Sequence, residues 1–321
     1  MTEFDLIRDL LAKVNPPGTG NDTGVWLGAG DDAAVLDVGR VVMSTDLTIE
    51  DVHFRRSWVT FAEAGARAVA AAASDLAAMA ATPIAVLISL AVAPLEARAI
   101  VSELGDGFKA ALSELGAPLV GGDLSASPGP VVIDVTVVGA SEEPVTRSGA
   151  RPEDELWVTG VLGGSAGAVR AWQEGAEPHP NLRACFVRPR PRIEEARWLA
   201  DQVRVTAMID LSDGLVGDAR HLAEASGVHI VLDPNLVPVH PDLTGGDALS
   251  LATSGGEDYE LCFVSPPDVT GPRADEFRDR FGIGLTRVGR VEEGTGVRIL
   301  DTAGGQDGVT GGFDHFSSLE G

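Results

Sequence analysis

The sequence predicts an α/β protein of two domains, and three observations carry that expectation. Apolar strand-like runs alternate with Ala-rich or amphipathic helical runs, which is the pattern of α/β layers. A device of apolar run, Gly-rich turn and Asp recurs along the chain. The stretch 142–154, EEPVTRSGARPED, concentrates the turn and breaker residues of a domain boundary, so the domains are read as 1–145 and 146–321. With 321 residues and 44% hydrophobic side chains the chain can build two cores, and it is too apolar to be disordered.

In the first half, Phe4, Ile7, Leu11 and Val14 fall at helical spacing with Thr2 as a cap, and NPPGTGND then breaks the chain. Residues 28–54, GAGDDAAVLDVGRVVMSTDLTIEDVHF, follow. They hold a tight Gly turn, Asp31 and Asp32, a short apolar strand at 41–43, the polar triplet Ser44-Thr45-Asp46 at its end, and His53. A GDD tripeptide alone is an ordinary turn former; its weight here comes from repetition of the device. Residues 61–81 are Ala-rich and helical. Asp75 inside that run either needs a cation or marks a helix break capped by Ser74 and Asp75. A strand at 84–92, an amphipathic helix at 95–115, the run LVGGD with Asp123, and a strand at 131–138 complete the first domain.

The second half opens with a strand at 156–159, a Gly-rich turn at 160–167 and a helix toward Gln173. EGAEPHPN reads as a loop, and RPRPRIEEARWLADQV starts as an Arg/Pro segment and becomes a helix. A strand at 205–209 ends in DLSDGL, placing Asp210, Ser212 and Asp213 before a helix at 215–225. A strand at 228–232, a short helix at 248–253 and SGGEDYELCFV follow, the last setting Glu257 and Asp258 just before another strand. Further elements run to Ile299, and Phe313 and Phe316 anchor a Gly-rich tail.

A formal net charge of -24 argues against nucleic acid and anionic membranes as partners, because both are bound mainly through Lys and Arg. A phosphorylated small molecule remains compatible when metal ions screen the charge. The most apolar run, 84–95, is too short to span a bilayer. Cys185 and Cys262 lie in apolar contexts with no CxxC partner, which reads as buried free thiols in a reducing cytoplasm.

Clustered carboxylates repel at low dielectric, and cations resolve that repulsion. An oxygen-only donor set selects Mg²⁺, Mn²⁺ or Ca²⁺ over zinc. No GxxxxGK[ST] motif is present, and neither lysine, Lys13 or Lys109, lies in a Gly-rich loop. Acidic metal sites with Gly-rich turns and no lysine point to phosphoryl transfer organised by metals, which needs positioning and charge neutralisation more than covalent chemistry. Arg147 in TRSGARP is a candidate bidentate phosphate clamp.

GDDAAVL, STD, the VHF after it, SDLAAM, LVGGD, TRSGARP, MIDLSDGL and SGGEDYELCF stand in the order found in thiamine-monophosphate kinases. The chain resembles that family from about residue 25 to the terminal FDHF. The resemblance implies two α/β domains: an N-terminal one whose mixed sheet forms a homodimer interface, with a Mg²⁺-rich ATP site near it, and a C-terminal α/β domain. It implies Asp31, Ser44, Thr45, Asp46, Asp75, Asp123, Asp210 and Asp213 as Mg²⁺ ligands, with Asp46 and Asp213 assigned to catalysis. Gly122, Asp123, Arg147 and Ser212 would contact ATP, and His53, Glu257 and Phe313 thiamine monophosphate. The implied reaction is direct transfer from ATP to thiamine monophosphate, giving thiamine diphosphate and ADP. The alternatives are another ATP-dependent enzyme of the same superfamily acting on a different small acceptor, or a nucleotide-binding protein without turnover. Three positions depart from the family's usual pattern: Ala72 replaces an asparagine, Leu124 a threonine and Asp51 a glycine.

Overall fold

The structure, a computed structural model, describes residues 3–14, 24–27 and 35–300. Asp31 and Phe313, both assigned above, lie outside the described residues. The chain divides into two units, one of 1–76 with 81–144 and one of 77–80 with 145–321. Each is an α/β unit with a mixed sheet.

The first unit begins with helix α1 (Glu3–Val14) and a small pair of strands, β1 (Val25–Leu27) and β2 (Val35–Leu36). Its four-stranded sheet consists of β3 (Val41–Ile49), β4 (Thr82–Val92), β5 (Leu119–Ala126) and β6 (Val132–Ala140), in the order β3-β6-β4-β5. The β3–β6 and β6–β4 pairs are antiparallel and β4–β5 is parallel. Helices α2 (Phe61–Ala78) and α3 (Ala97–Leu115) belong to the same unit. Thr60 and Glu63 open α2 as a capping box: Thr60 N donates to Glu63 Oε2 at 2.9 Å, and Glu63 N to Thr60 Oγ1 at 3.2 Å. The two helices approach so closely that a Cβ on Gly107 would sit 1.9 Å from the Ala62 carbonyl oxygen. Ile88, Leu90, Ile133, Val135 and Val137 are buried on one face of the sheet. On the other face a small core of Ala85, Val120 and Val138 is covered by Val25, Leu36 and Val38. The β3 edge of that face leaves Val41, Met43 and Leu47 exposed, Met43 by 64%.

Two expectations about strand length are corrected. The run at 41–43 does not stop at Ser44, because β3 pairs with β6 residue by residue from Val41 to Ile49. Likewise β5 continues through Asp123 to Ala126 along β4. Asp46 and Asp123 therefore lie within strands, not beyond their ends. The helix carrying Asp75 is unbroken, so the capped-break alternative is ruled out.

The second unit has a six-stranded sheet of β7 (Glu155–Thr159), β8 (Ala207–Asp210), β9 (His229–Leu232), β10 (Leu261–Ser265), β11 (Leu285–Glu292) and β12 (Gly296–Ile299). Its order is β12-β9-β11-β7-β10-β8, with only β12–β9 parallel. Its helices are α4 (Gly164–Gln173), α5 (Pro180–Val187), α6 (Ile193–Val203), α7 (Leu215–Ser226), α8 (Ala248–Ser254) and α9 (Ala274–Phe281). Val158, Ile209, Ile230 and Cys262 form one core with Leu215, Ala219 and Leu222 of α7. Trp198 of α6 packs edge-on against Phe277 of α9 at 5.5 Å. The helix α5 falls where only a loop and unassigned residues are read from the sequence. Cys185 is half-buried and Cys262 buried, and both are free thiols. Among the described residues, no helix is long and apolar enough to cross a membrane.

Candidate active-site residues

In the first unit the polar triplet of β3 is divided by the pleat. Ser44 and Asp46 leave one face of the strand and Thr45 the other. The Ser44 hydroxyl donates to Asp75 Oδ2, joining β3 to α2. Asp75 is the only residue between 68 and 78 that is not buried, so a carboxylate emerges from an Ala-packed helix beside the strand. Burial, and then the neighbouring Asp75, push the Asp46 carboxyl above the usual carboxylate range; His53 and Arg67 pull it back. Arg67, 3% exposed, thus supplies positive charge from inside α2. Thr45 Oγ1 donates to Asp134 Oδ1 at 2.8 Å on the opposite face.

His53 sits on a tight turn after β3. Its backbone N–H bonds to Ile49 O at 2.8 Å, and its Nδ1 accepts from Ile49 N at 3.0 Å. That acceptor role leaves the ring proton of the neutral imidazole on Nε2. The turn is braced on both sides. Phe54 is buried against Phe61. Glu50 accepts from Val131 N at 2.9 Å and pairs with Arg56. Burial opposes the Glu50 charge, but Arg56 and the Val131 N–H outweigh it and hold the carboxyl below its ordinary range.

Gly122 and Asp123 lie on β5. Gly122 has φ 152, and a Cβ there would lie 1.8 Å from Ile88 O, so no other residue fits the close approach of β4. Asp123 pairs in register with Ser89 and accepts from Ser125 Oγ at 3.2 Å. Through Ser89 its row continues to Asp134 and Leu47, whereas Asp46 stands in the next row, with Val135, Ile88 and Gly122. Asp123 therefore leaves the face opposite Asp46 and is not brought together with Asp46 and Asp75. Among the described residues, no three His, Cys, Asp or Glu side chains converge to hold a metal ion. What does converge is two carboxylates and a hydroxyl, a set of hard oxygen donors that fits a divalent cation such as Mg²⁺.

In the second unit Asp210 ends β8, and the turn 211–214 leads into α7. Asp218, 1% exposed, folds back over the start of its own helix, its Oδ2 accepting from Asp213 N at 3.1 Å. Burial, then Asp210 and Asp213, push its carboxyl up to about 8. Ser212 O accepts from Glu257 N at 2.8 Å, tying this turn to the GGED segment. Arg147 is exposed, and its carbonyl accepts from Ser226 Oγ at 3.2 Å. Ser226 also accepts from Gly149 N and Ala150 N, so the last residue of α7 shapes the Arg147 turn. Asp218 and Ser226 carry no sequence signal, because their partners are backbone groups. An absence of GxSxG is the expectation from the sequence, and it is corrected: residues 163–167 read GGSAG, the spacing of a nucleophile elbow. Yet Ser165 is fully buried and its hydroxyl has no hydrogen-bond partner, so it is not presented as a nucleophile.

Two family models match the chain: AIR synthase related protein, N-terminal domain, over residues 30–141, and AIR synthase related protein, C-terminal domain, over 151–301. The thiamine-monophosphate kinase of Mycobacterium tuberculosis is 39% identical, covering 93% of this chain and 87% of its own. This chain belongs to the thiamine-monophosphate kinase family. The crystal structure of thiamine-monophosphate kinase from Stenotrophomonas maltophilia K279a aligns with TM-score 0.81 at 33% identity, over 93% of this chain and 96% of that one. A structure of AaThiL complexed with AMPPCP and TMP aligns with TM-score 0.76 at 30% identity, over 98% and 99% of the two chains.

Against the usual pattern of thiamine-monophosphate kinases, the departure at Asp51 has a backbone reading. Asp51 has φ 65, in the left-handed region that favours glycine and that Asp tolerates better than most residues. Its N–H bonds to Phe54 O at 2.7 Å, so the turn presenting His53 forms despite the change. Ala72 is fully buried one helical turn before Asp75 and offers that carboxylate no amide.

Proposed function

We propose that the chain phosphorylates thiamine monophosphate, taking the terminal phosphoryl group of ATP and giving thiamine diphosphate and ADP. The observation that carries this reading is the meeting of Ser44, Asp46 and Asp75 beside the braced turn of His53. These three would hold Mg²⁺, and the raised Asp46 carboxyl is the mark of a site that gains from a cation. The cation supplies charge neutralisation on the transferring phosphate. Asp31, Thr45, Asp123, Asp210 and Asp213 are assigned to metal binding on family resemblance; Asp46 and Asp213 serve catalysis, and Gly122, Asp123, Arg147 and Ser212 serve ATP.

For the acceptor, His53 offers its Nε2–H to a phosphate oxygen, while Glu257 and Phe313 complete the contacts. Transfer is direct. Burial pushes the Cys185 thiol up to about 11 and the Cys262 thiol higher still, and neither is an activated nucleophile. The exposed strip of Val41, Met43 and Leu47 on the edge strand β3 would be covered by a second copy of the chain. The first domain then carries dimerisation and the Mg²⁺ and ATP contacts of β3 and β5, and the enzyme works in the cytoplasm.

The test is product chromatography with Mg²⁺, ATP and purified protein. Thiamine monophosphate should yield the diphosphate, and free thiamine should be a poor acceptor because the attacking atom is a phosphate oxygen. No diphosphate from thiamine monophosphate, with turnover of another acceptor, would overturn the assignment.

A further inference from the structure

Glu257 and Tyr259 both have left-handed backbone angles, φ 71 and 52. Non-glycine residues in that region are strained and persist only where their surroundings hold them. Three backbone bonds strap the segment to the end of β8: Glu257 N to Ser212 O at 2.8 Å, Tyr259 N to Leu211 O at 2.9 Å, and Leu211 N to Glu260 O at 2.8 Å. These backbone bonds fix the path of the chain on either side of residue 258. The side chain of Asp258 adds a hold at the residue between them. Its Oδ2 accepts from Gly163 N at 2.8 Å, and its carboxylate also accepts from the Ser165 N–H.

Those two amides open α4. Gly163, at the cap position, has no side chain, and no local group caps the helix. The unsatisfied N–H groups at this end call for an acceptor oxygen. Burial outweighs them and pushes the Asp258 carboxyl up to about 8, so the dock is the pair of N–H···O bonds and does not require a charged group. Asp258 is thus a cap supplied from 95 positions away, and it sits directly beside Glu257.

We propose that Asp258 is a positioning residue for the acceptor site, holding Glu257 in its strained conformation by docking onto the start of α4. The inference rests on the reading of Glu257 as an acceptor contact. Asp258→Ala removes the dock and orphans two amides. Asp258→Asn keeps one carbonyl oxygen for Gly163 N. Misplacing a contact by about 1 Å can cost on the order of 100-fold, so Asp258→Ala should raise the KM for thiamine monophosphate by roughly tenfold or more. The KM for ATP should move by much less than that for thiamine monophosphate, because the turn that carries Ser212 keeps the bond from Asp213 N to Asp218. Asp258→Asn should recover most of the loss.

Hydrogen exchange supplies a readout that does not depend on turnover. In Asp258→Ala the amides of Glu257 and Tyr259 should exchange faster, while those of α7 keep their protection. Equal rises in both KM values with uniformly faster exchange would mean general loosening and would overturn the proposal. So would an unchanged acceptor KM, or unchanged exchange at Glu257. If Asp258→Ala does not fold, Asp258→Ser, whose short hydroxyl cannot reach both amides, must show the acceptor-selective shift, with Asp258→Asn close to wild type. A wild-type protein that leaves thiamine monophosphate unconverted would sink the functional reading instead, and the exchange measurement would still decide the role of Asp258.

Discussion

Arg192 gives the sharpest stability prediction. It stands before α6 and clamps Glu260, with Nε to Oε2 at 2.9 Å and Nη2 to Oε1 at 2.5 Å, while Nη1 reaches Glu195 at 3.3 Å. The two side chains are 13% and 8% exposed, so solvent screens the pair little. Burial works against the Arg192 charge, and Glu260 and Glu195 more than offset it, leaving the guanidinium above its ordinary range. Thr159 Oγ1 donates to the same carboxylate at 2.5 Å and accepts from Leu261 N at 2.9 Å, so the cluster joins α6 to β7 and β10. Arg192→Ala leaves a buried carboxylate with the Thr159 hydroxyl alone. Breaking one side of a buried pair costs about 3–5 kcal/mol. At roughly 2–4 °C per kcal/mol for a unit of this size, the Tm should fall by roughly 6–20 °C. Urea unfolding followed by the fluorescence of buried Trp157, Trp172 and Trp198 reads this unit. Arg192→Met combined with Glu260→Gln removes both charges and should recover at least half of the loss. A single-variant cost below about 1 kcal/mol, or a double variant no better than the single, would refute the reasoning.

Two further outcomes test the first unit. Asp46→Asn and Asp75→Asn should each lower kcat by roughly 100-fold or more and raise the Mg²⁺ needed for half-maximal rate, and EDTA should abolish activity until Mg²⁺ is restored; near-normal rates in both variants would make the pair structural. Gly122→Ala should destabilise this unit by about 1–3 kcal/mol or more, since its Cβ meets the Ile88 carbonyl in a strained backbone. Gly121→Ala, which meets only the Leu87 side chain at 3.3 Å, should stay within about 1 kcal/mol. Equal urea midpoints for the two glycine variants would contradict the close-approach argument.

The elements that were legible in the sequence repeat their buried positions at their own period. Val86, Ile88, Leu90 and Val92 alternate along β4, and Leu215, Ala219, Leu222 and Ala223 mark one side of α7. Strand ends were less legible because a run of polar residues looks the same whether the strand stops or continues with its side chains satisfied at long range. Ser44 is satisfied by Asp75 and Thr45 by Asp134, partners 31 and 89 positions away. The helix α5 was hidden because it begins at Pro180, directly after a polar Pro-containing loop, and a proline in the first turn reads as a breaker until the helix behind it is seen.

The same physics limits what an Asp-rich motif says about chemistry. The acidic residues of STD, SDL and GGED look alike in sequence, yet they answer to different partners. Asp258 and, in α7, Asp218 place oxygens on backbone N–H groups, at the start of α4 and in the turn before α7. Asp46 and Asp75 sit beside each other, with the Ser44 hydroxyl joining strand to helix at Asp75. A carboxylate satisfied by amides has fewer lone pairs left for a cation, whereas a crowded pair gains from one. Since backbone donors carry no residue identity, only the folded chain separates the two kinds. Counting acids in a motif therefore overstates the ligands and misses the residues that hold them in place.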